Sequence, residues 1–235
     1  MVHRTVTRFV PGFTQSGTSW SPVADLVGGV ATLLDVSIGP DFVATADALG
    51  SGAGVYVGYS QGGRLCLQLA LDRPEVVHRL VLVSASPGIA DPAERAARVE
   101  ADEQLAQEIE RDGVDAFLER WLSLPLFATL PRERSGIDDR KARNTVAALT
   151  RQLRVLGQGV QPSNWERLGE LRMPVLMIAG ELDAKYVDLA QRMAARVPDA
   201  RVEIVPGAGH ACHLEQPEHV AHLLASFESS APDHS

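Results

Sequence analysis

The chain has 235 residues, 45% of them hydrophobic and 22% charged, with 30 acidic against 22 basic side chains and a formal net charge of −8. That length suits one large domain, or one domain carrying an insertion, and the ordinary apolar and charged fractions exclude a disordered, collagen-like or coiled-coil chain. The acidic balance argues against a general binder of nucleic acid or anionic membrane, since both demand positive potential, but says little about a small substrate whose charge is met locally.

Short apolar runs of four to six residues recur along the chain. Residues 5–10 are β-branched and end at Pro11-Gly12; 31–36, 54–59 (GVYVGY) and 80–84 (LVLVS) follow. Residues 175–179 (VLMIA) end at Gly180, and 202–205 (VEIV) end at Pro206-Gly207. Nearly continuous apolar runs of this length are what strands buried on both faces look like. Helical patterns lie between them at 62–71, 187–196 and 217–227. Strands alternating with helices predict an α/β domain with a mostly parallel sheet.

Residues 87–167 break the rhythm. They contain no β-rich run, read as helices at 94–111, 114–122 and 138–156, and hold 12 of the 22 basic residues. The expectation is a core formed by 1–86 and 168–235, with 87–167 inserted as a helical cap. Two cysteines, Cys66 and Cys212, allow at most one disulfide and suggest a reducing compartment. The start MVHRTVTRFVPGF lacks the apolar stretch of a secretory signal, and no run reaches the 18 or so apolar residues of a membrane span, so the default expectation is cytoplasmic.

Gly58-Tyr59-Ser60-Gln61-Gly62 matches G-x-S-x-G between a predicted strand and a predicted helix, the context of a nucleophile elbow. A serine hydroxyl is a weak nucleophile or base until an imidazole takes its proton, and the imidazole needs an acid to fix its tautomer. In the order this topology uses, Asp183 follows VLMIAG and His210 follows VEIV, both at predicted C-terminal strand ends. Glu181 competes as the acid. His213, His219 and His222 share a segment with His210, and with Cys212 and Glu215 nearby they also permit a metal-site reading. Two backbone N–H groups would complete an oxyanion hole: those of Gln61 and of Phe13 in Pro11-Gly12-Phe13, a tripeptide that equally reads as a type II turn.

With PGFTQSGTSW, GYSQGGR, RLVLVSASPG, MPVLMIAGELD and VPGAGHACHLEQPE, the sequence resembles the α/β-hydrolase superfamily over nearly its whole length. Closer markers are Arg64 four after the serine, SASPGIADPAERAARVEAD and FLERWLSLPLF. Over roughly residues 11–218 they are similar to the menaquinone-pathway lyases called 2-succinyl-6-hydroxy-2,4-cyclohexadiene-1-carboxylate synthases. That resemblance implies a Ser60, His210, Asp183 triad acting as a base, with pyruvate eliminated from an enolpyruvyl substrate and no metal or organic cofactor. It also implies a small anionic substrate with several carboxylates, met by Arg64, Arg98 and Arg143 (Arg140 and Lys141 adjoin the last), in a pocket lined by Tyr59 and Trp121. Lys185 matches a lysine of that family. Bidentate contact with carboxylates is a property of arginine that lysine does not copy. Two other readings stay open: a serine hydrolase of a small carboxylated ester or C–C bond substrate, and a non-catalytic binding protein on the same fold.

The pattern also departs from the superfamily. Pro11 replaces the usual histidine before Gly-Phe, DVSIGPDFVAT stands where a PGHG-S loop is usual, and the chain starts almost at the oxyanion-loop strand. The expected fold is therefore an α/β-hydrolase sheet with a shortened N-terminal edge and a helical cap.

Overall fold

The computed structural model describes residues 6–229. Six strands form one sheet in the order β2-β1-β3-β4-β5-β6, every neighbouring pair parallel. They are β1 (Val6–Val10), β2 (Val30–Leu33), β3 (Gly54–Tyr59), β4 (Val77–Val83), β5 (Val175–Gly180) and β6 (Ala200–Val205). The helices are α1 (Ser21–Val27), α2 (Phe42–Leu49), α3 (Gln61–Asp72), α4 (Pro92–Leu122), α5 (Ile137–Arg143), α6 (Val146–Leu156), α7 (Ala184–Ala194), α8 (Cys212–Glu215) and α9 (Pro217–Ser229). The expected first residue of β1, Thr5, lies outside the described residues.

Burial explains why the central strands read so plainly. Every residue of β3 and of β5 is buried, and alternate side chains feed two different cores. Tyr56, Leu80, Leu82, Val175 and Met177 pack on one face with Leu65, Leu69 and Met193. Val55, Val57, Val81, Leu176 and Ile178 pack on the other with Phe9, Trp20 and Leu224. A fully buried Leu or Val contributes about 1.5–3 kcal/mol relative to exposure, so this doubly covered sheet is the stable frame of the molecule.

Several boundaries differ from the expectation. β2 is an edge strand, partly exposed along its length, and stops at Leu33 rather than Val36. β4 starts at Val77, three residues early, because the exposed His78 and the partly exposed Arg79 interrupt its apolar run. α2 begins where Asp41 accepts a hydrogen bond from the Ala44 N–H at 2.8 Å, within the segment that stands in place of the PGHG-S loop.

Between β4 and β5 the described chain contains no strand. α4 is broken at Gly113, whose φ of +81° and ψ of +172° are not helical, and the region expected as one helix at 138–156 is split into α5 and α6 at Asn144-Thr145. Phe117, Leu118, Leu149 and Leu153 form a separate small core joining α4 to α6. The two ends of this segment are stitched together. The Asn164 N–H donates to Pro87 C=O at 2.7 Å, and Trp165 Nε1–H donates to Gly88 C=O at 3.1 Å.

Candidate active site

The turn from β3 into α3 carries Ser60 at φ +48°, ψ −108°, a conformation an L-residue holds only when its surroundings enforce it. They do so here. The Ser60 N–H donates to Val83 C=O at 2.8 Å, and its own C=O accepts from the Arg64 N–H at 3.0 Å. The turn is also too tight for side chains: a Cβ on Gly58 would lie 2.5 Å from the Gly62 C=O and the Gly63 N, and one on Gly62 would run into the Val10 C=O.

Two further strand ends meet this serine. Asp183 opens α7 after β5, and His210 lies in the loop after β6. His210 Nδ1 lies 2.7 Å from Asp183 Oδ2, and Nε2 lies 3.3 Å from Ser60 Oγ. A carboxylate only accepts, so Nδ1 carries the proton and Nε2 is left to accept from the serine hydroxyl. Both His210 and Asp183 are more than nine-tenths buried. The competing acid, Glu181, is exposed and instead accepts from the Gly207 N–H at 2.8 Å. The other histidines take no part: His213 is fully buried between Trp20 and Tyr59, and His219 and His222 lie on α9. Among the described residues, no group of three His, Cys, Asp or Glu side chains is arranged to hold a metal ion.

Glu215, a near neighbour of His210 in the sequence, grips the histidine loop. Its carboxylate accepts from the Gly209 N–H at 2.8 Å and the Ala211 N–H at 3.2 Å, the two residues flanking His210. The sequence cue was an acid five residues after the histidine, which is legible only once the turn between them is known.

A cavity of about 170 Å³ opens in front of Ser60. Its wall includes Tyr59, Gln61, Phe13, Trp121 and Phe127, and four cationic side chains (Arg64, Arg98, Arg140 and Lys185) against one carboxylate, Asp102. An overall charge of −8 thus coexists with a basic interior. Arg98 is ion-paired with Asp102 at 2.8 Å and also donates to Gln158 Oε1 at 3.0 Å. Arg64 and Arg140 differ, because their partners are neutral. Arg64 donates to Gln161 Oε1 at 3.2 Å and Leu156 C=O at 2.8 Å, and its Nε–H is unpartnered. Arg140 donates to Ser135 C=O at 2.8 Å and to Thr14 Oγ1. Burial pushes both guanidinium groups down to about 10, so both remain cationic at neutral pH. The same burial raises the Tyr59 and Tyr186 phenols, which stay neutral.

Arg143 is not in this cavity. Its half-exposed side chain pairs with Asp139 at 2.6 Å and lines a separate hollow with Asn144 and Gln152. The cavity arginine of α5 is instead Arg140, three residues earlier in the chain. The ring contacts of Trp121 with Phe13, Phe117 and Phe127 make it part of the aromatic wall, and Lys185 lies exposed at the rim, 5.7 Å from the Tyr186 ring centre.

A family model described as Alpha/beta hydrolase family matches residues 9–223. Among curated relatives, "Putative 2-succinyl-6-hydroxy-2,4-cyclohexadiene-1-carboxylate synthase" of Bacillus subtilis (strain 168) is 40% identical over 178 residues, 74% of this chain and 65% of the relative. The 2-succinyl-6-hydroxy-2,4-cyclohexadiene-1-carboxylate synthase of Serratia proteamaculans (strain 568) is 32% identical over 173 residues, 73% of this chain and 66% of the relative. The chain thus spans just under two thirds of the length of these relatives. Among solved structures, MenH from S. aureus superposes with a TM-score of 0.88 at 26% identity, covering 95% of this chain and 92% of that one. A thermophilic esterase from Thermogutta terrifontis, at 21% identity and a TM-score of 0.79, shares the fold.

Proposed function

We propose that this chain, which belongs to the α/β-hydrolase family, is a cofactor-independent carbon–oxygen lyase that eliminates pyruvate from an enolpyruvyl cyclohexene carboxylate. The observation that carries the reading is the pair of buried cations, Arg64 and Arg140, held by neutral acceptors in front of Ser60. A buried guanidinium without a carboxylate is costly unless an anion completes it, so the cavity suits a substrate bearing more than one carboxylate. The names of the curated relatives, 2-succinyl-6-hydroxy-2,4-cyclohexadiene-1-carboxylate synthases, support the same substrate class.

In this mechanism His210, oriented by Asp183, takes the Ser60 proton, and the serine oxygen removes a ring proton. The electron pair of the broken C–H bond moves through the ring, and the ring carbon–oxygen bond to the enolpyruvyl group breaks. The leaving group departs as the enolate of pyruvate and takes up a proton. Charge building on the substrate oxygen conjugated to the ring is met by the Gln61 and Phe13 N–H groups, Gln61 being the first residue of α3, where backbone donors have no partner within the helix. Arg64, Arg98 and Arg140 anchor carboxylates, and Tyr59 and Trp121 wall the ring.

The decisive experiment incubates the purified chain with the enolpyruvyl substrate and follows pyruvate, with Ser60→Ala as control. Pyruvate release that depends on Ser60, with no acyl adduct on Ser60 by mass spectrometry, supports the lyase. A trapped acyl-Ser60 formed from the true substrate overturns it in favour of the hydrolase reading.

A further inference from the structure

Three residues from separate segments form a hydrogen-bonded chain along the cavity wall. Arg98, on α4, gives its Nε–H to Asp102 Oδ1 at 2.8 Å and a terminal N–H to Gln158 Oε1 at 3.0 Å. Gln158, just after α6, gives an amide N–H to the Tyr186 hydroxyl oxygen at 3.2 Å. Tyr186 stands in the first turn of α7, close after Asp183, and its buried ring is tilted over the His210 ring with centres 4.6 Å apart. Arg98, Gln158 and Tyr186 all line the cavity before Ser60.

The first member fixes the sense of the whole chain. A guanidinium only donates, so the Gln158 oxygen must face Arg98 and its NH2 must face Tyr186. The phenol oxygen therefore accepts, and its own proton is left to be given elsewhere. Burial raises the phenol above its ordinary value and keeps that proton in place at neutral pH, although the Gln158 bond and the nearby Arg64 and Arg98 charges act the other way. Among the described residues no acceptor takes the proton. Successive donations in one direction polarise one another, which strengthens the last donor, and a buried donor left without an acceptor is unfavourable.

We propose that the Tyr186 hydroxyl is a specificity-determining donor, held in that sense by Arg98 through Gln158, that gives its proton to an acceptor oxygen of the substrate, on the carboxylate that Arg98 meets. The inference rests on the reading of the cavity as a site for a substrate with several carboxylates. Cationic side chains select for negative charge alone. A donor beside them selects for the chemical group, because a carboxylate offers one oxygen to the guanidinium and another to the phenol, whereas a carboxamide has a single oxygen and turns an N–H toward one of the two.

The test uses Tyr186→Phe, which keeps the ring over His210 and removes only the hydroxyl, and Gln158→Glu, which reverses the middle link. A carboxylate at position 158 accepts from Arg98 and draws the Tyr186 proton to itself. Occupancy is read without presuming turnover, as the concentration of succinate that halves the rate at which a fluorophosphonate probe labels Ser60. Tyr186→Phe should raise that concentration about tenfold or more, the loss of a hydrogen bond to a charged group. KM for the enolpyruvyl substrate should rise alike with kcat within about twofold, the signature of a contact made equally before and during the reaction. Gln158→Glu adds a negative charge that weakens anion binding in either background, so the effect of reversing the link is the difference. Its cost should be at least about threefold smaller in the Tyr186→Phe background than in the wild type. Half-protecting concentrations equal in wild type and Tyr186→Phe, no protection of the wild type by succinate, or equal costs of Gln158→Glu in the two backgrounds would overturn the proposal. A wild-type chain that succinate protects but that releases no pyruvate would instead refute the lyase reading, and the protection values would still judge Tyr186.

Discussion

The Arg64 guanidinium and the Gln161 side chain meet inside the protein at 3.2 Å, a charge facing a neutral amide where a carboxylate would be expected. Asp183 and His210, by contrast, form an ordinary oriented pair. The Ser60, His210 and Asp183 arrangement is thus electrically complete, while the wall in front of it is short of negative charge.

Replacing Arg64 by Met should therefore separate binding from stability. KM for a multi-carboxylate substrate should rise by about tenfold to a hundredfold, as expected for loss of a charge-assisted contact of about 1.5–3 kcal/mol. The melting temperature should hold or rise, because an uncompensated buried charge is removed. Steady-state kinetics together with thermal denaturation checks both.

Asp183→Asn preserves the shape of the acid but favours the wrong imidazole tautomer. The expected fall in kcat is on the order of 10⁴-fold with near-normal substrate affinity. Pre-steady-state measurement of pyruvate release reads it, and a loss below tenfold would remove Asp183 from the triad. Glu181→Gln, on an exposed carboxylate with another role, should leave kcat within about twofold.

Arg140→Ala and Arg143→Ala should diverge although the residues are three apart. Arg143 is a half-exposed partner of Asp139, a pair screened by solvent that contributes little, so its loss should leave kcat and KM within about twofold. Arg140→Ala should raise KM at least tenfold, because the cavity loses a buried cation. Parallel kinetics on the two variants decide which arginine of α5 meets the ligand.

His213 gives stability a pH dependence. Burial holds its imidazole well below its ordinary value, with Arg140 and His210 adding to the effect, and neither ring nitrogen has a hydrogen-bond partner. The unfolded chain, with an ordinary imidazole near 6.5, therefore binds a proton that the folded chain refuses. The stabilisation is complete above about pH 6.5 and declines as pH falls below it, by up to about 1.4 kcal/mol per pH unit. Urea unfolding from pH 8 to 5 should show this slope, and His213→Phe, placing an apolar ring between Trp20 and Tyr59, should remove it. Equal slopes in the two proteins would contradict the account.

The sheet was legible because double burial writes itself as unbroken apolar runs, and the three strand ends that bring Ser60, Asp183 and His210 together follow from it. Edges and caps were not. β2 and β6 are partly exposed edge strands whose alternation blurs their limits, and α2 depends on an Asp41 cap that looks like any loop aspartate. The placement of Arg140 and Arg143 had a readable cue. Asp139 and Arg143 stand at i,i+4, the spacing of a solvent-facing pair, while Arg140 follows the buried Ile137 by three and shares its face. The positive φ of Thr14, +69°, is harder to foresee, since a threonine announces nothing of it until its partners Arg140 and Asn144, more than 120 residues away, are in place.

The stitch between residues 87–88 and 164–165 has a consequence for how such a molecule diversifies. Because the polypeptide leaves the sheet and returns at one point, everything from α4 to α6 is topologically a single detour, and its departure and return are joined by Asn164 with Pro87 and Trp165 with Gly88. A different detour of any length satisfies the sheet provided its ends meet there. Ser60, Asp183 and His210 all lie outside the detour, whereas Arg98, Arg140 and Trp121 lie within it. Recombination at this junction would exchange Arg98, Arg140 and Trp121 in a single event and leave Ser60, Asp183, His210 and the buried Arg64 where they are.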